Sequence, residues 1–180
     1  MTGNNLYLIG YRATGKTTVA RLLAERFNCQ TVDADDMIET RAEMPIKEIF
    51  AAHGEAGFRD LETEVVKEIS TRVDTVVALG GGALQRPENR RQLSGTGTMV
   101  WLKAAAETIQ RRIEGDPTTG ARRPDLTAAG GLEEIQQLLL AREPVYQECA
   151  DYQVDTEDKS AASVAAEIHS WYVEHRAEER

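Results

Sequence analysis

Leu6-Tyr7-Leu8-Ile9-Gly10-Tyr11-Arg12-Ala13-Thr14-Gly15-Lys16-Thr17 is the stretch on which the reading of this chain turns. Its first four residues are an apolar run ended by Gly10, and beyond the loop Val19, Leu22 and Leu23 recur at helical spacing. The order is strand, loop, helix. The loop has the form G-x-x-x-x-G-K-[ST] in the setting that pattern needs, since its glycines let main-chain N–H groups turn inward around phosphate oxygens. The following helix directs its positive dipole end to the same point. Lys16 is expected to reach the β and γ phosphates, and Thr17 to ligate Mg²⁺.

The alternation continues outward. Thr31 to Asp33 read as a second strand, and Ile38, Ile46, Ile49 and Phe50 fall in short helices broken by Pro45. Leu61, Val65 and Ile69 repeat every four residues, which predicts an amphipathic helix between Gly57 and Arg72. Thr75 to Leu79 is a β-branched and aliphatic run, expected of a strand covered on both faces, and three glycines close it. Pro87 to about Leu93 reads as a helix, Thr98 to Leu102 as a strand and Ala105 to Ile113 as a helix. From about 114 to 131 glycines and prolines occur with no apolar period, the composition of a long functional loop, here read as a mobile lid. Leu132 to about Arg142 (helix), Tyr152 to Val154 (strand) and Ser160 to about His175 (helix with a serine N-cap) complete the chain. Five strands alternating with helices imply an α/β three-layer sandwich around a parallel sheet. A length of 180 residues suits a single domain spanning 1–180.

Lys plus Arg is 21 and Asp plus Glu 30, so the net charge is 21 − 30 = −9. That balance argues against nucleic acid or an anionic membrane as partner, and any anionic ligand must meet a local basic cluster. Arg111, Arg112, Arg122 and Arg123 flank the long loop and supply one. Cys29 and Cys149 are too few for a disulfide framework, and His53, His169 and His175 stand at no metal-ligand spacing. Met1 to Asn5 lack the order of a signal peptide, and no apolar stretch approaches the ~20 residues a bilayer needs. A cytoplasmic protein, monomeric on charge and size, is the expectation.

No guanine-reading Asn-Lys-x-Asp segment is present, and Leu79 runs into glycine where a motor ATPase carries an acid. The acids stand after the second strand instead. Asp36 reads as a helix cap. Asp33 and Asp35, two apart on an extended segment, are expected to point the same way, one toward a metal-bound water and one toward a substrate hydroxyl. Arg59 and Glu62 share a helix face at i, i+3, a spacing that fits a surface ion pair equally well. Gly80, Gly81 and Gly82 end a buried strand at the carboxyl edge of the sheet, where ligands of open α/β folds bind.

With these residues the chain resembles the shikimate kinase family, P-loop kinases of the nucleoside monophosphate kinase-like fold. The likeness runs through Asp33-Ala34-Asp35, Glu48-Ile49-Phe50, Gly54, Glu55, Phe58, Arg59 and Glu62. It continues through Gly80 to Gly82, Asn89, Arg90, Leu93, Arg123-Pro124 and the Arg142, Pro144, Tyr146, Glu148 segment. Ala13 departs from the glycine common at that point of the family loop, and Glu114 to Ala121 make the lid a few residues longer.

The resemblance implies transfer of the ATP γ-phosphoryl group to the 3-hydroxyl of shikimate, in aromatic amino-acid synthesis, with Mg²⁺ as cofactor. The alternative is another small-molecule kinase, such as gluconate kinase. The implied ATP-binding residues are Gly10, Ala13, Thr14, Gly15, Lys16, Thr17 and Thr18, joined by Arg111 or Arg112 against adenine. Asp35 is implied to meet the reacting hydroxyl, as base or orienting acceptor, and Asp33 to hold Mg²⁺ through water together with Thr17. Arg59 and Arg142 would grip the carboxylate, Gly80, Gly81 and Gly82 would lie beside the ring, and Phe50 and Phe58 would line it or simply fill the core. Within a helical segment of about 34–62 binding shikimate and a lid of about 114–131, Arg123, or Arg122 by register, would bring its charge to the phosphates.

Overall fold

The computed structural model describes residues 4–116 and 130–178. Five parallel strands form one sheet: β1 (Asn5–Ile9), β2 (Gln30–Asp33), β3 (Thr75–Ala78), β4 (Gly97–Lys103) and β5 (Tyr152–Asp155), in the spatial order β2-β3-β1-β4-β5. The helices are α1 (Lys16–Phe27), α2 (Ala34–Ala42), α3 (Ile46–Ser70), α4 (Pro87–Leu93), α5 (Ala106–Gly115), α6 (Gly131–Cys149) and α7 (Ala161–Glu178). The chain leaves β1 toward β2 on one side and later crosses from β3 past β1 to β4 on the other. Strand order therefore reverses at β1 and β3, and their carboxyl ends open a crevice.

Side chains alternate across a strand, so β1 feeds two cores. Tyr7 and Ile9 join Val77, Leu79, Met99 and Trp101 on one face, under Ile38 of α2, Phe58, Val65 and Ile69 of α3 and Tyr146 of α6. Leu6 and Leu8 join Val76, Ala78, Val100 and Val154 on the other, against Val19 and Leu23 of α1 and Val164, Ile168 and Tyr172 of α7. A third cluster packs Tyr11 of the loop on Ile109 of α5 and Ile135 of α6. The polar residue Asn5 is fully buried at the start of β1 because it ties the strands together. Its Nδ2 donates to the Arg72 carbonyl at 2.8 Å, and its Oδ1 accepts from the Thr75 N–H at 3.2 Å.

Several elements differ from their sequence-based bounds. The short helix over Ile46 to Phe50 and the later one from Gly57 each run longer than read and meet at Gly54, whose non-helical φ of 66° and ψ of −173° keep them two helices within α3. Only a residue without Cβ takes that conformation freely, so one glycine makes the kink between the two helices. Helix α6 runs past Arg142 to Cys149 with Pro144 inside it, because Tyr146 is anchored in the core beyond the proline. Asp33 and Asp35 do not share an extended segment. Asp33 ends β2 and caps α2, accepting the Asp35 N–H at 2.9 Å, so the cap is Asp33 and Asp36 lies in the first turn. The expected serine cap is present, with Ser163 N–H donating to Ser160 Oγ at 3.1 Å. Of the segment read as a lid, Gly115 belongs to α5 and Gly131 to α6. Arg122, Arg123 and Pro124 lie outside the described residues.

Asn5→Ala strands a buried N–H and a carbonyl between β1 and β3, which costs roughly 1–3 kcal/mol. We expect a lower urea midpoint with an unchanged rate per folded molecule, since Asn5 stands at the edge of the sheet opposite the crevice.

Candidate active site

The crevice holds a cavity of about 740 Å³. Ala13, Gly15, Lys16, Thr17 and Thr18 line it from the phosphate loop and α1, Asp33 and Asp35 from β2 and α2, Gly80 and Gly81 from the end of β3, and Arg112 from α5. Residues from four separate segments of sequence thus meet at one edge of the sheet. Gly10 and Thr14 stand behind this wall. A Cβ on Gly10, whose φ is 133°, would overlap the Leu102 carbonyl oxygen. Thr14 is buried, and its hydroxyl donates to the Tyr11 carbonyl at 2.8 Å. Lys16 Nζ donates to the carbonyls of Gly10 and Tyr11 at 2.9 and 2.6 Å, which curls the side chain over its own loop.

Asp33 occupies the junction. Its Oδ2 accepts the Thr17 hydroxyl at 2.6 Å while Oδ1 caps α2. Burial pushes its carboxyl above the ordinary range, the neighbouring Asp35 charge adds to this, and the Thr17 hydrogen bond opposes it. Two adjoining carboxylates beside a hydroxyl form a hard oxygen donor set deficient in positive charge, which fits Mg²⁺ shared with substrate phosphates. Among the described residues no group of three or more His, Cys, Asp or Glu could hold a metal. A cage supplied wholly by protein is therefore not the arrangement that these residues offer.

Beyond Gly81 lie the two arginines. Arg59 and Glu62 are buried, so their i, i+3 pair of 2.7 Å is no surface contact. Glu55 adds a second carboxylate at 3.1 Å. Burial pulls the guanidinium pKa down, but the two carboxylates outweigh it and hold Arg59 above its usual value. A Cβ at Gly82 would overlap the Arg59 guanidinium, so glycine here makes room for the cation. Arg142 is 7% exposed, and its Nη1 donates to the Gly81 carbonyl at 3.4 Å. Among the described residues it has no carboxylate at ion-pair distance. Tyr146 donates its hydroxyl to the same carbonyl, and burial pushes that phenol up to about 12.

Some expected site residues are placed elsewhere. Arg111 bonds Thr108 of its own helix at 3.0 Å, while Arg112 is the arginine on the cavity, held there by the Thr156 carbonyl at 2.8 Å. Phe58 is fully buried, stacked on Phe50 at 4.7 Å and lying 5.3 Å beneath the Arg59 guanidinium. It supports that arginine from the core, and neither ring lines this cavity, nor do Arg59, Gly82 and Arg142, which lie behind Gly81. Burial raises both cysteine thiols, the behaviour of packed residues. Sequence reasoning missed Arg12, Arg21 and Asp116 as cavity residues, and Glu134 as a buried partner of Arg12. No local spacing signals a contact between residues so far apart in the chain.

The family model described as shikimate kinase matches residues 12–172. A shikimate kinase of Rhodopirellula baltica is 43% identical over 91% of this chain and 88% of its own. One from Symbiobacterium thermophilum is 42% identical over 91% and 93%. The chain belongs to the shikimate kinase family. A shikimate kinase from Acinetobacter baumannii, solved in complex with shikimate, superposes with a TM-score of 0.90 at 34% identity, over 97% of this chain and 95% of that one. As a shikimate kinase the protein is an ATP-dependent phosphotransferase, which settles the choice against gluconate kinase. The parallel five-stranded sheet with helices on both faces is the P-loop kinase fold. No described helix is long and apolar enough to cross a membrane.

An acid whose folded pKa exceeds its unfolded value holds its proton more tightly when folded, so stability falls as pH rises through that interval. Asp33→Asn removes this penalty and keeps an acceptor for the Asp35 N–H, while its Nδ2 faces the Thr17 hydroxyl, which then accepts where it donated before. We expect a higher melting temperature at neutral pH, with the gain shrinking as pH falls toward the ordinary carboxylate range, measured by thermal melts across pH.

Proposed function

We propose that this shikimate kinase transfers the ATP γ-phosphoryl group to the 3-hydroxyl of shikimate, giving shikimate 3-phosphate and ADP, with Asp35 at the reacting hydroxyl. The observation that carries this reading is the buried Arg142 guanidinium beside Gly81, with no carboxylate partner among the described residues. A buried cation needs an anion, and the acceptor's carboxylate is one that the reaction brings.

The phosphate loop binds the triphosphate through its main-chain N–H groups. Lys16 exchanges its two carbonyl partners for phosphate oxygens, a stronger charge-assisted contact. Arg112, fastened through Thr156, holds the adenine end. Thr17 and, through water, Asp33 would hold Mg²⁺, which when bound supplies charge neutralisation for the phosphoryl group in transfer. Arg59 and Arg142 hold the acceptor's carboxylate, and Gly80 to Gly82 bring main chain up to the ring. Asp35, in the first turn of α2 and on the cavity wall, accepts the hydrogen bond of the 3-hydroxyl and takes its proton as the bond to phosphorus forms. The acceptor thereby faces the end of the triphosphate across the sheet edge. The acidic chain argues against a nucleic acid or membrane partner, and its two packed thiols suit a reducing cytoplasm, where it acts as a monomer.

A coupled assay of ADP release should respond to shikimate and not to gluconate, with ³¹P and ¹H NMR placing the phosphate on the 3-oxygen. Comparable turnover of gluconate overturns the acceptor assignment. Asp35→Asn should lower kcat by about 10²–10⁴-fold with ATP affinity nearly intact. Arg142→Ala should weaken shikimate binding by about 2–5 kcal/mol, read by titration calorimetry, and an unchanged affinity would move the carboxylate site elsewhere.

A further inference from the structure

The ring of Tyr11 is buried, and two guanidiniums lie against it, Arg12 at 5.9 Å and Arg142 at 5.4 Å from the centroid. Their surroundings differ. Arg12 Nη2 lies 3.4 Å from Glu134 Oε1, whereas Arg142 meets no carboxylate among the described residues. Glu134 is fully buried, while Arg12 keeps 18% of its side chain exposed and lines the cavity.

A carboxylate removed from water persists only where positive charge and hydrogen bonds replace its hydration. Glu134 has both sources of charge. It sits in the first turn of α6, at the positive end of the helix dipole, and faces the phosphate loop. The same helix carries Arg142 eight residues later, about 12 Å along its axis. Gly81 lies between these two anchors. The Arg12 main-chain nitrogen is 3.4 Å from where a Gly81 Cβ would stand, and the Gly81 carbonyl accepts from Arg142. Glu134 thus reaches the phosphate loop through Arg12, Arg142 reaches the glycine triplet through Gly81, and those two main-chain segments run side by side, so α6 holds both.

We propose that Glu134 is a positioning residue of the transfer reaction: by holding Arg12 it docks the phosphate loop on α6 in the register that keeps Arg142 beside Gly81. The inference rests on the assignment of Arg142 to the acceptor's carboxylate. It also accounts for the charge arrangement. With Arg12 matched by Glu134, a single uncompensated guanidinium remains on Tyr11 for an acceptor carrying a single negative charge.

Steady-state kinetics of Glu134→Gln, Glu134→Asp, Arg12→Gln and the Arg12→Gln, Glu134→Gln double variant test this, with circular dichroism melts to confirm folding. Glu134→Gln should raise the shikimate KM about tenfold and change the ATP KM less than about twofold. Glu134→Asp, which keeps the charge, should lie closer to the parent and serves where the glutamine variant fails to fold. In the Arg12→Gln background, Glu134→Gln should add less than about twofold, since the two changes remove one interaction. An unchanged shikimate KM, a fall in kcat alone, or additive effects in the double variant would overturn the proposal. If the unaltered protein releases no ADP with shikimate, the functional reading itself has failed. An active parent with an unaffected Glu134→Gln variant rejects this inference alone.

Discussion

Two pieces of main chain, the phosphate loop after β1 and the glycine triplet after β3, pass each other with no side chain between them. A Cβ on Gly81 would stand 3.3 Å from the Gly10 carbonyl oxygen and 3.4 Å from the Arg12 nitrogen. The approach is set by the sheet, since the Leu79 N–H continues the β1–β3 ladder by donating to the Leu8 carbonyl at 3.0 Å. Neighbouring strands lie about 4.8 Å apart, so the two binding segments inherit that spacing. The order β2-β3-β1 then sets acids, glycines and phosphate loop on three consecutive strands. The proposed ATP and acceptor segments therefore lie one strand spacing apart.

Within this frame the two arginines carry different burdens. Arg59 is braced by Glu62 and Glu55, which orient its fork and satisfy much of its charge before any ligand arrives. Arg142 is braced by neutral groups: the Gly81 carbonyl and the face of Tyr11. A guanidinium held by dipoles keeps its full charge for an incoming anion, at the cost of burying an unmatched cation in the free protein. On the proposed assignment of both to the acceptor's carboxylate, the first arginine would supply geometry and the second most of the unspent attraction. Such a division would let a strongly acidic chain bind anionic small molecules without a broad basic surface.

The sequence disclosed most of this fold because its signals are local. The loop pattern between Ile9 and α1, the apolar run at Thr75 to Leu79 and the glycines after it each specify a conformation from adjacent residues. The errors arose where tertiary packing decided the outcome. Periodicity alone could not show that Tyr146 in the core carries α6 beyond Pro144. Spacing likewise brought Asp33 and Asp35 together for the wrong reason. They meet because a helix starts between them, and Asp33 is both the last strand residue and the cap. Glu134 was invisible, since its partner lies 122 positions away on a loop read only for its phosphate contacts. Asn5 was unreadable for the same cause, its bonds reaching Arg72 and Thr75.

The dual use of Asp33 explains how a destabilising group is kept in place. Burial and the Asp35 charge both oppose its ionised form, so the folded chain holds an unfavourable carboxylate at the mouth of its cavity. The Thr17 hydroxyl and the N–H of α2 offset part of that cost by hydrogen-bonding to the charged form. What remains is a cost that the proposed Mg²⁺ would relieve, because a positive charge beside Asp33 favours its ionised form. On that proposal, metal affinity would draw on the same free energy that destabilises the free site.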